Sequence, residues 1–414
     1  MKRRKSIWYV LKLILKAILV IAVFGGIFSY AMFQGGFVSW FLFYSTTILV
    51  ILMAVYILIP LGSFRVSREM GDTAIIAGSE LTVKVKISRK LPFPFLYLSV
   101  RDKLGKGLSS QLLSNDSKTI FYPSVKRELE YTYVISNVKR GDYFFHGVHL
   151  ETSDMFGLFK KRKWVPIEES LLVYPNYHDI ERWSAYERHE TETHLSSMDF
   201  IEDITSIAGA REYVPGDKLT SIDWKVTARA SKLMTKEFEE HIGQDFQIVF
   251  NNFIPDNRNL TFEAYEKAIE LVTSLVMHAN QKQLKLGLWT LGKESKSFSL
   301  GTGTDHQKRI VYHLSKIQAD DTGDFTIRLK EFEDQIIGGT TLFFVSTELT
   351  DTLLERLRIY LSRRNQVYFC LLDRGQETNH WEQKKFEELK RYGAEAYILS
   401  EGSLDEAIHM TSSD

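Results

Sequence analysis

Two long apolar runs open the chain, and alternating patterns follow them. AILVIAVFGGIFSYAMF spans residues 17–33, and FVSWFLFYSTTILVILMAVYILIPL spans residues 37–61. The second runs 25 residues without a charge, where about 20 suffice to cross a bilayer. The first reaches spanning length when Lys12 and Lys16 snorkel to the headgroups. A cleaved signal peptide needs a shorter apolar core followed by small residues, and no such cleavage site follows here. The pattern predicts a two-helix transmembrane hairpin over residues 1–62. Its loop, at Gln34-Gly35-Gly36, is uncharged, whereas Lys2, Arg3, Arg4, Lys5, Arg65 and Arg68 flank the opposite side. The positive-inside rule then predicts a two-pass plasma-membrane protein with both termini, and everything after residue 62, in the cytoplasm.

From residue 63 to 175 the period is two. LTVKVKIS and YTYVIS alternate apolar and polar positions, as does the stretch around YFFHGVHLET. AGSE, KRGD and SDMFG supply turns between them, and the spacing predicts a small antiparallel β-sandwich. His146 and His149 stand three apart on one strand, an odd spacing that points them to opposite faces and argues against a shared metal. The run Lys160-Lys161-Arg162-Lys163 reads as a solvated turn, with contact to phospholipid headgroups as the alternative. Residues 176–205 read as a polar linker, and the spacing of His178, His189 and His194 matches no ligand motif.

Beyond residue 244 the rhythm changes again. DFQIVF, LKLGLWTL, TTLFFVST, QVYFCLL and AEAYILS are short apolar runs, mostly separated by helical patterns such as TFEAYEKAIELVTSLVMHANQ and DTLLERLRIYLSRR. Strands alternating with helices predict a parallel sheet covered on both faces over residues 244–414. No GxGxxG or GKS/GKT loop opens any of these helices, so no nucleotide or other cofactor is expected.

Composition narrows the picture a little further. The 414 residues are 44% apolar and 25% charged, a globular balance. Lys plus Arg equals Asp plus Glu at 52 each, which gives no pull toward nucleic acid. A single cysteine, Cys370, excludes an internal disulfide framework and any CxxC metal site.

Between the two soluble parts, residues 206–243 carry the densest charge pattern. REYVPGDKLTSIDWKVTARASKLMTKEFEE (residues 211–240) holds twelve charges, six of each sign. Pro215-Gly216 suits a type II turn, and Asp217 stands where a helix N-cap belongs. Leu219, Ile222 and Val226 then form an apolar stripe, with Trp224 nearly opposite it and Asp223, Lys225 and Arg229 between. Apolar groups on two sides predict a helix clamped at a domain junction, with Trp224 buried and the charges forming an internal network. The alternative is catalytic, with Asp217, Asp223 and Glu237 as general acid or base, although no nucleophile motif lies nearby.

The same stretch resembles the signature of the domain of unknown function 58 family, R-E-Y-x-P-G-D, I-D-W-K, A-R and K-L-x-x-x-E-F. Arg211, Glu212, Tyr213, Pro215, Gly216, Asp217, Ile222, Asp223, Trp224, Lys225, Ala228, Arg229, Lys232, Leu233, Glu237 and Phe238 fit it. VKRGDYFFHGVHLETSDMFGLFKKR is similar to the family's upstream segment. The resemblance implies a von Willebrand factor A-like carboxy-terminal domain. It also implies work beside a MoxR-like AAA+ ATPase and a transglutaminase-like membrane protein. That fold commonly carries a D-x-S-x-S metal loop after its first strand. Here Asn251 replaces the aspartate, Phe253 and Pro255 take the serine positions, and Ser346-Thr347 follow TTLFFV where a second aspartate is expected. The metal site therefore reads as dismantled. The resulting expectation is a membrane-anchored cytoplasmic scaffold in cell-envelope or membrane-complex maintenance. Two alternatives stay open: a hydrolase using the acids of residues 211–240, and an extracytoplasmic binding protein of inverted topology.

Overall fold

A computed structural model of the chain describes residues 2–58, 61–71, 74–90, 97–112, 116–122, 126–154, 156–180, 207–213, 222–230, 232–238, 245–321, 323–336, 340–363, 365–375 and 380–399. The chain forms two compact units, Met1–Tyr174 and Pro175–Asp414.

In the first unit, α1 (Lys2–Gln34) and α2 (Phe37–Leu58) form a helical hairpin turned at Gly35, whose φ of +60° suits a residue without a Cβ. Both helices are long and apolar enough to cross a membrane, and their apolar side chains are bare rather than packed into a soluble core. The hydroxyls within the second span are satisfied locally. Thr46 and Thr47 donate to the carbonyls of Leu42 and Phe43, both at 2.8 Å, and Ser39 donates to Gly36. That arrangement suits a segment with no water to offer partners. Lys16, near the start of the first span, donates from its Nζ to the Leu158 carbonyl at 2.9 Å.

Two sheets follow. β1 (Phe64–Met70), β3 (Leu81–Arg89) and β6 (Glu128–Ile135) pair antiparallel in the order β1-β3-β6. The second sheet comprises β2 (Ala74–Ile76), β4 (Leu98–Leu104), β5 (Lys118–Phe121), β7 (Gly141–Ser153) and β8 (Lys160–Tyr174). Its order is β2-β8-β7-β4-β5, and a single helical turn, α3 (Lys106–Ser109), follows β4. Val83, Val85 and Ile87 from one sheet share an apolar core with Val100, Val148 and Leu150 from the other. Two expectations need correction. The second sheet is mixed rather than antiparallel, because β2 runs parallel to β8. His146 and His149 also lie on the same, exposed face, because the register shifts between Phe145 and Gly147 and the bulge absorbs one residue of the alternation. No cluster of three or more His, Cys, Asp or Glu suited to a metal occurs among the described residues.

In the second unit a two-stranded hairpin, β9 (Ile207–Glu212) and β10 (Met234–Phe238), encloses α4 (Trp224–Ala230). The remainder runs β11 (Asp245–Asn251), α5 (Asn259–Gln281), β12 (Lys285–Leu291), β13 (Lys296–Gly301), α6 (Thr304–Lys316) and α7 (Phe325–Glu331). β14 (Thr341–Ser346), α8 (Asp351–Ser362), β15 (Gln366–Leu372), α9 (His380–Arg391) and β16 (Glu395–Leu399) complete it. The sheet order is β13-β12-β11-β14-β15-β16. All pairings are parallel except β12 with β13. Only residues 292–295 join those two strands, enough for a hairpin and far too few for a crossover.

Helices cover both faces. Ile248 and Phe250 pack with Ala268, Val272 and Leu275 of α5, whereas Val249 and Phe344 pack with Leu329 of α7 and Leu353 and Leu357 of α8. Cys370 sits inside this core, and burial pushes its thiol pKa up. The start of the expected polar linker is not free of the fold. Ile180 joins the α5 side of the core, the His178 N–H donates to Ser274 at 2.9 Å, and the ring of His178 meets Glu270 at 3.1 Å. His189 and His194 lie outside the described residues.

Candidate functional site

The signature segment folds as a clip. β9 and β10 pair Glu212 with Met234, Arg211 with Thr235 and Gly209 with Glu237. The chain between them is tied back to the hairpin by its own backbone. The N–H of Tyr213 donates to Leu233 and that of Asp223 to Met234, each at 2.9 Å, and Ile222 bridges to Thr235. Ile222 and Thr235 are the buried pair of this clip, at 5% and 4% exposure. Thr227 locks the helix onto it, its Oγ1 accepting from the Met234 N–H at 2.9 Å.

The helix does not begin where the sequence placed it. Asp223 is the cap: its Oδ1 accepts from the N–H groups of Lys225 (3.0 Å) and Val226 (3.1 Å). Those are the free donors of a first helical turn. Pro215, Gly216, Asp217 and Leu219, expected to open this helix, lie outside the described residues. A seven-residue helix starting at Trp224 has no room for a Leu219-Ile222-Val226 stripe, and none of its residues is buried.

A further expectation falls with that start point. Trp224, expected as a buried junction anchor, is 68% exposed. The inward position belongs to Ile222, just ahead of the cap, so the first helical residue faces out. Among the described residues, the charges of this segment lie at the surface. Lys225 and Arg229 are exposed, and Glu212 pairs with Lys232 at 3.2 Å with both side chains about two-thirds exposed. Such a pair is solvated and contributes little. The backbone of Arg211 pairs with Thr235 and that of Glu237 with Gly209. For the catalytic alternative, Asp223 is committed to capping and Asp217 lies outside the described residues.

A second site, absent from the sequence reading, lies at the carboxyl ends of β11 and β14. There the strand order reverses, and open α/β sheets form a crevice at such a point. The cavity has a volume of about 420 Å³ and is lined by Asn251, Asp324, Phe325, Glu348, Thr350 and Thr352, among others. Asn251 and Ser346, flagged as replacing metal ligands, meet here: Asn251 Nδ2 donates to Ser346 Oγ at 3.0 Å. Asn251 Oδ1 accepts from the Phe253 N–H, and Ser346 Oγ donates to the Glu348 carbonyl at 2.7 Å. The side chain of Phe253 is buried in the core rather than offered to the cleft, and its ring fills the space that a Cβ on Gly323 would need. Asp324 and Thr350 cap the two helices that border the cavity.

Glu348 is the unusual group. Its carboxyl accepts no hydrogen bond among the described residues, and burial raises its pKa, opposed in part by Arg374. Arg374 itself is held by Glu382 at 2.6 Å, with both side chains nearly buried. A carboxylic acid in a cleft with its pKa raised by burial is a common mark of a functional position. Ser346-Thr347, at the position expected for a metal ligand, end one residue short of it.

Comparison with solved structures gives only remote likenesses. The CARDB domain of a Pyrococcus furiosus protein, in complex with di-metal ions, matches at 12% identity over 27% of this chain and 91% of its own, with a TM-score of 0.18. The bacterial hydrophobin BslA matches at 14% identity over 29% of this chain and 100% of its own, with a TM-score of 0.19. Sequence relatives are more informative. Uncharacterized protein YeaD of Bacillus subtilis (strain 168) is 36% identical over 323 residues, 77% of this chain and 78% of that protein. Residues 209–378 match the family described as Protein of unknown function DUF58, from β9 through β15. With that match and that relative, the chain belongs to the DUF58 family.

Proposed function

We propose that this protein is a membrane-anchored interaction scaffold, held in the plasma membrane by α1 and α2 with both termini in the cytoplasm. Its protein partner is a MoxR-like AAA+ ATPase, with a transglutaminase-like membrane protein in the same assembly. The observation that carries the scaffold reading is Trp224, 68% exposed at the tip of a capped helix inside the family's matching region. Exposed tryptophan flanked by charge is a poor choice for a solvated helix and a frequent choice for a binding hot spot. The exposed Lys225 and Arg229 beside it suit a polar rim.

The architecture supports a second element of the reading. Numbered from β11, the sheet order is 3-2-1-4-5-6 with an antiparallel edge strand. That order fits a von Willebrand factor A-like domain, and the two sheets of the first unit fit a β-sandwich. In such a domain the cleft at Asn251 and Glu348 is a second place for contact with a partner, without metal chelation.

The test is co-purification from native membranes with wild-type and Trp224→Ala full-length protein. The reading expects an AAA+ ATPase to be retained by the wild type and lost from the variant at equal expression. Equal recovery of the ATPase with both proteins, or its absence from both, would overturn it.

A further inference from the structure

We propose that the β7–β8 turn from Phe156 to Phe159, with the basic start of β8 at Lys160–Lys163, is a membrane-contacting loop that takes the headgroups of anionic phospholipids. The inference rests on the reading of α1 and α2 as membrane-spanning and adds a lipid class and a second point of contact.

Two separate contacts fix the height of this tip. Lys16 lies near the start of the first candidate span, Ile14–Gln34, and its Nζ donates to the Leu158 carbonyl at 2.9 Å. At the other end, Lys163 Nζ donates to the carbonyls of Gly62 (3.1 Å) and Phe64 (3.0 Å), where the second span, Phe37–Ser63, leaves the apolar layer. The hairpin tip is therefore stapled to the chain at the point where each span begins or ends. With the spans in a bilayer, that level is the headgroup region.

The tip is built to present a ring and a cluster of cations there. Asp154, 2% exposed, shapes the turn from inside. One carboxylate oxygen accepts from the Phe159 N–H at 2.5 Å, and the other from the Phe156 N–H at 3.2 Å. Gly157 takes a φ of +67°, which a side chain would strain. A turn held this way projects Phe156 outward at 56% exposure, an arrangement with no benefit in water. Lys160, Lys161, Arg162 and Lys163 follow directly. Aromatic rings and basic side chains side by side are the residues that bilayer interfaces accommodate. Each Lys or Arg near an anionic surface gains about five-fold in lipid affinity.

The experiment uses the full chain in nanodiscs. A polarity-sensitive thiol label is placed at Phe156→Cys, and at Ile48→Cys in α2 as a control for the span. Cys370 is buried and stays in place. Quenching is read with spin labels in the headgroup or mid-acyl region, in phosphatidylcholine alone and in phosphatidylcholine with phosphatidylglycerol. The expected result is deep quenching at position 48 in both lipids and shallow quenching at position 156. The shallow signal should be stronger with phosphatidylglycerol and fall by half or more in Lys160→Gln/Lys161→Gln. Quenching at 48 without any at 156 would overturn the loop proposal and leave the spans intact. Equal quenching at 156 in both lipids would overturn the anionic-lipid assignment. Loss of quenching at both positions would overturn the spanning reading itself.

Discussion

Arg68 and Asp102 face each other as a two-pronged ion pair inside the core of the first unit. Nε meets Oδ2 at 2.9 Å and Nη2 meets Oδ1 at 2.6 Å, with both side chains wholly buried. The surrounding groups complete the network. Tyr133 OH donates to Asp102 at 2.8 Å, Arg68 also reaches Glu169 at 3.0 Å, and its guanidinium stacks 4.6 Å from the Phe145 ring centre. The charges join β1 of one sheet to β4 of the other, a link that apolar packing alone would leave free to slide.

Breaking that pair is therefore expected to cost more than deleting it. Asp102→Ala leaves a buried guanidinium short of its main partner and should destabilise the first unit by about 3–5 kcal/mol. Replacing the group together, as Arg68→Met/Asp102→Leu/Tyr133→Phe, should lose much less. Hydrogen exchange of β1 and β4 amides in the detergent-solubilised chain reads both. A triple variant as unstable as Asp102→Ala would mean that the charges themselves stabilise the fold.

Glu348 gives a pH-dependent prediction. Burial is the larger influence and raises its pKa. Asp324 and Glu382 act in the same direction, and Arg374 and Lys385 oppose them. A raised carboxyl is one whose charged form the fold disfavours. Below the ordinary glutamate value of about 4.3 the group is neutral whether the chain is folded or not, and no penalty applies. As pH rises through the raised folded value, the penalty develops. Glu348→Gln is therefore expected to match the wild type near pH 4 and to be the more stable protein at pH 7, measured by denaturant unfolding. Lower stability of the variant at pH 7 would show that the carboxylate has a cationic partner in the fold.

Tyr360 makes a parallel case at high pH. Its hydroxyl is buried on α8 without a hydrogen-bond partner among the described residues, and burial pushes its pKa up to about 12. The protonated phenol is the form the fold retains, so its stabilising share is complete below about pH 10 and is lost as pH rises through 12. Tyr360→Phe should remove that alkaline sensitivity. At neutral pH it should also gain about 1 kcal/mol by removing an unpaired buried hydroxyl. A loss of stability on this substitution would point to an ordered water bonded to the hydroxyl.

What the sequence made legible was whatever periodicity controls. Apolar length found the two helices, period two found β3 and β6, and strand–helix alternation found the parallel part of the second sheet. The failures share one cause, a local event that shifts the count by one or a few residues. A bulge at Phe145–Gly147 put His146 and His149 on one face, and a short turn reversed β13. A cap at Asp223 starts the helix at Trp224 and leaves that ring facing outward. The Glu348 cleft was hidden for a different reason. Its lining comes from β11, α7 and the β14–α8 connection, and no linear spacing reports residues that only the sheet topology brings together.

The outward tryptophan carries the last prediction. A residue 68% exposed loses few internal contacts on truncation. Trp224→Ala should therefore leave unfolding within about 0.5 kcal/mol of the wild type. The tryptophan emission removed by the substitution should be the part most readily quenched by acrylamide. Partner binding, in contrast, should weaken by about 2 kcal/mol or more, near thirty-fold, if Trp224 sits at the centre of the contact. Stability and binding thus separate two roles that sequence alone could not. A helix clamped at a junction would lose about 3–5 kcal/mol on losing its tryptophan and would show protected emission. That outcome would return Trp224 to the interior and remove the main support for a partner surface on α4.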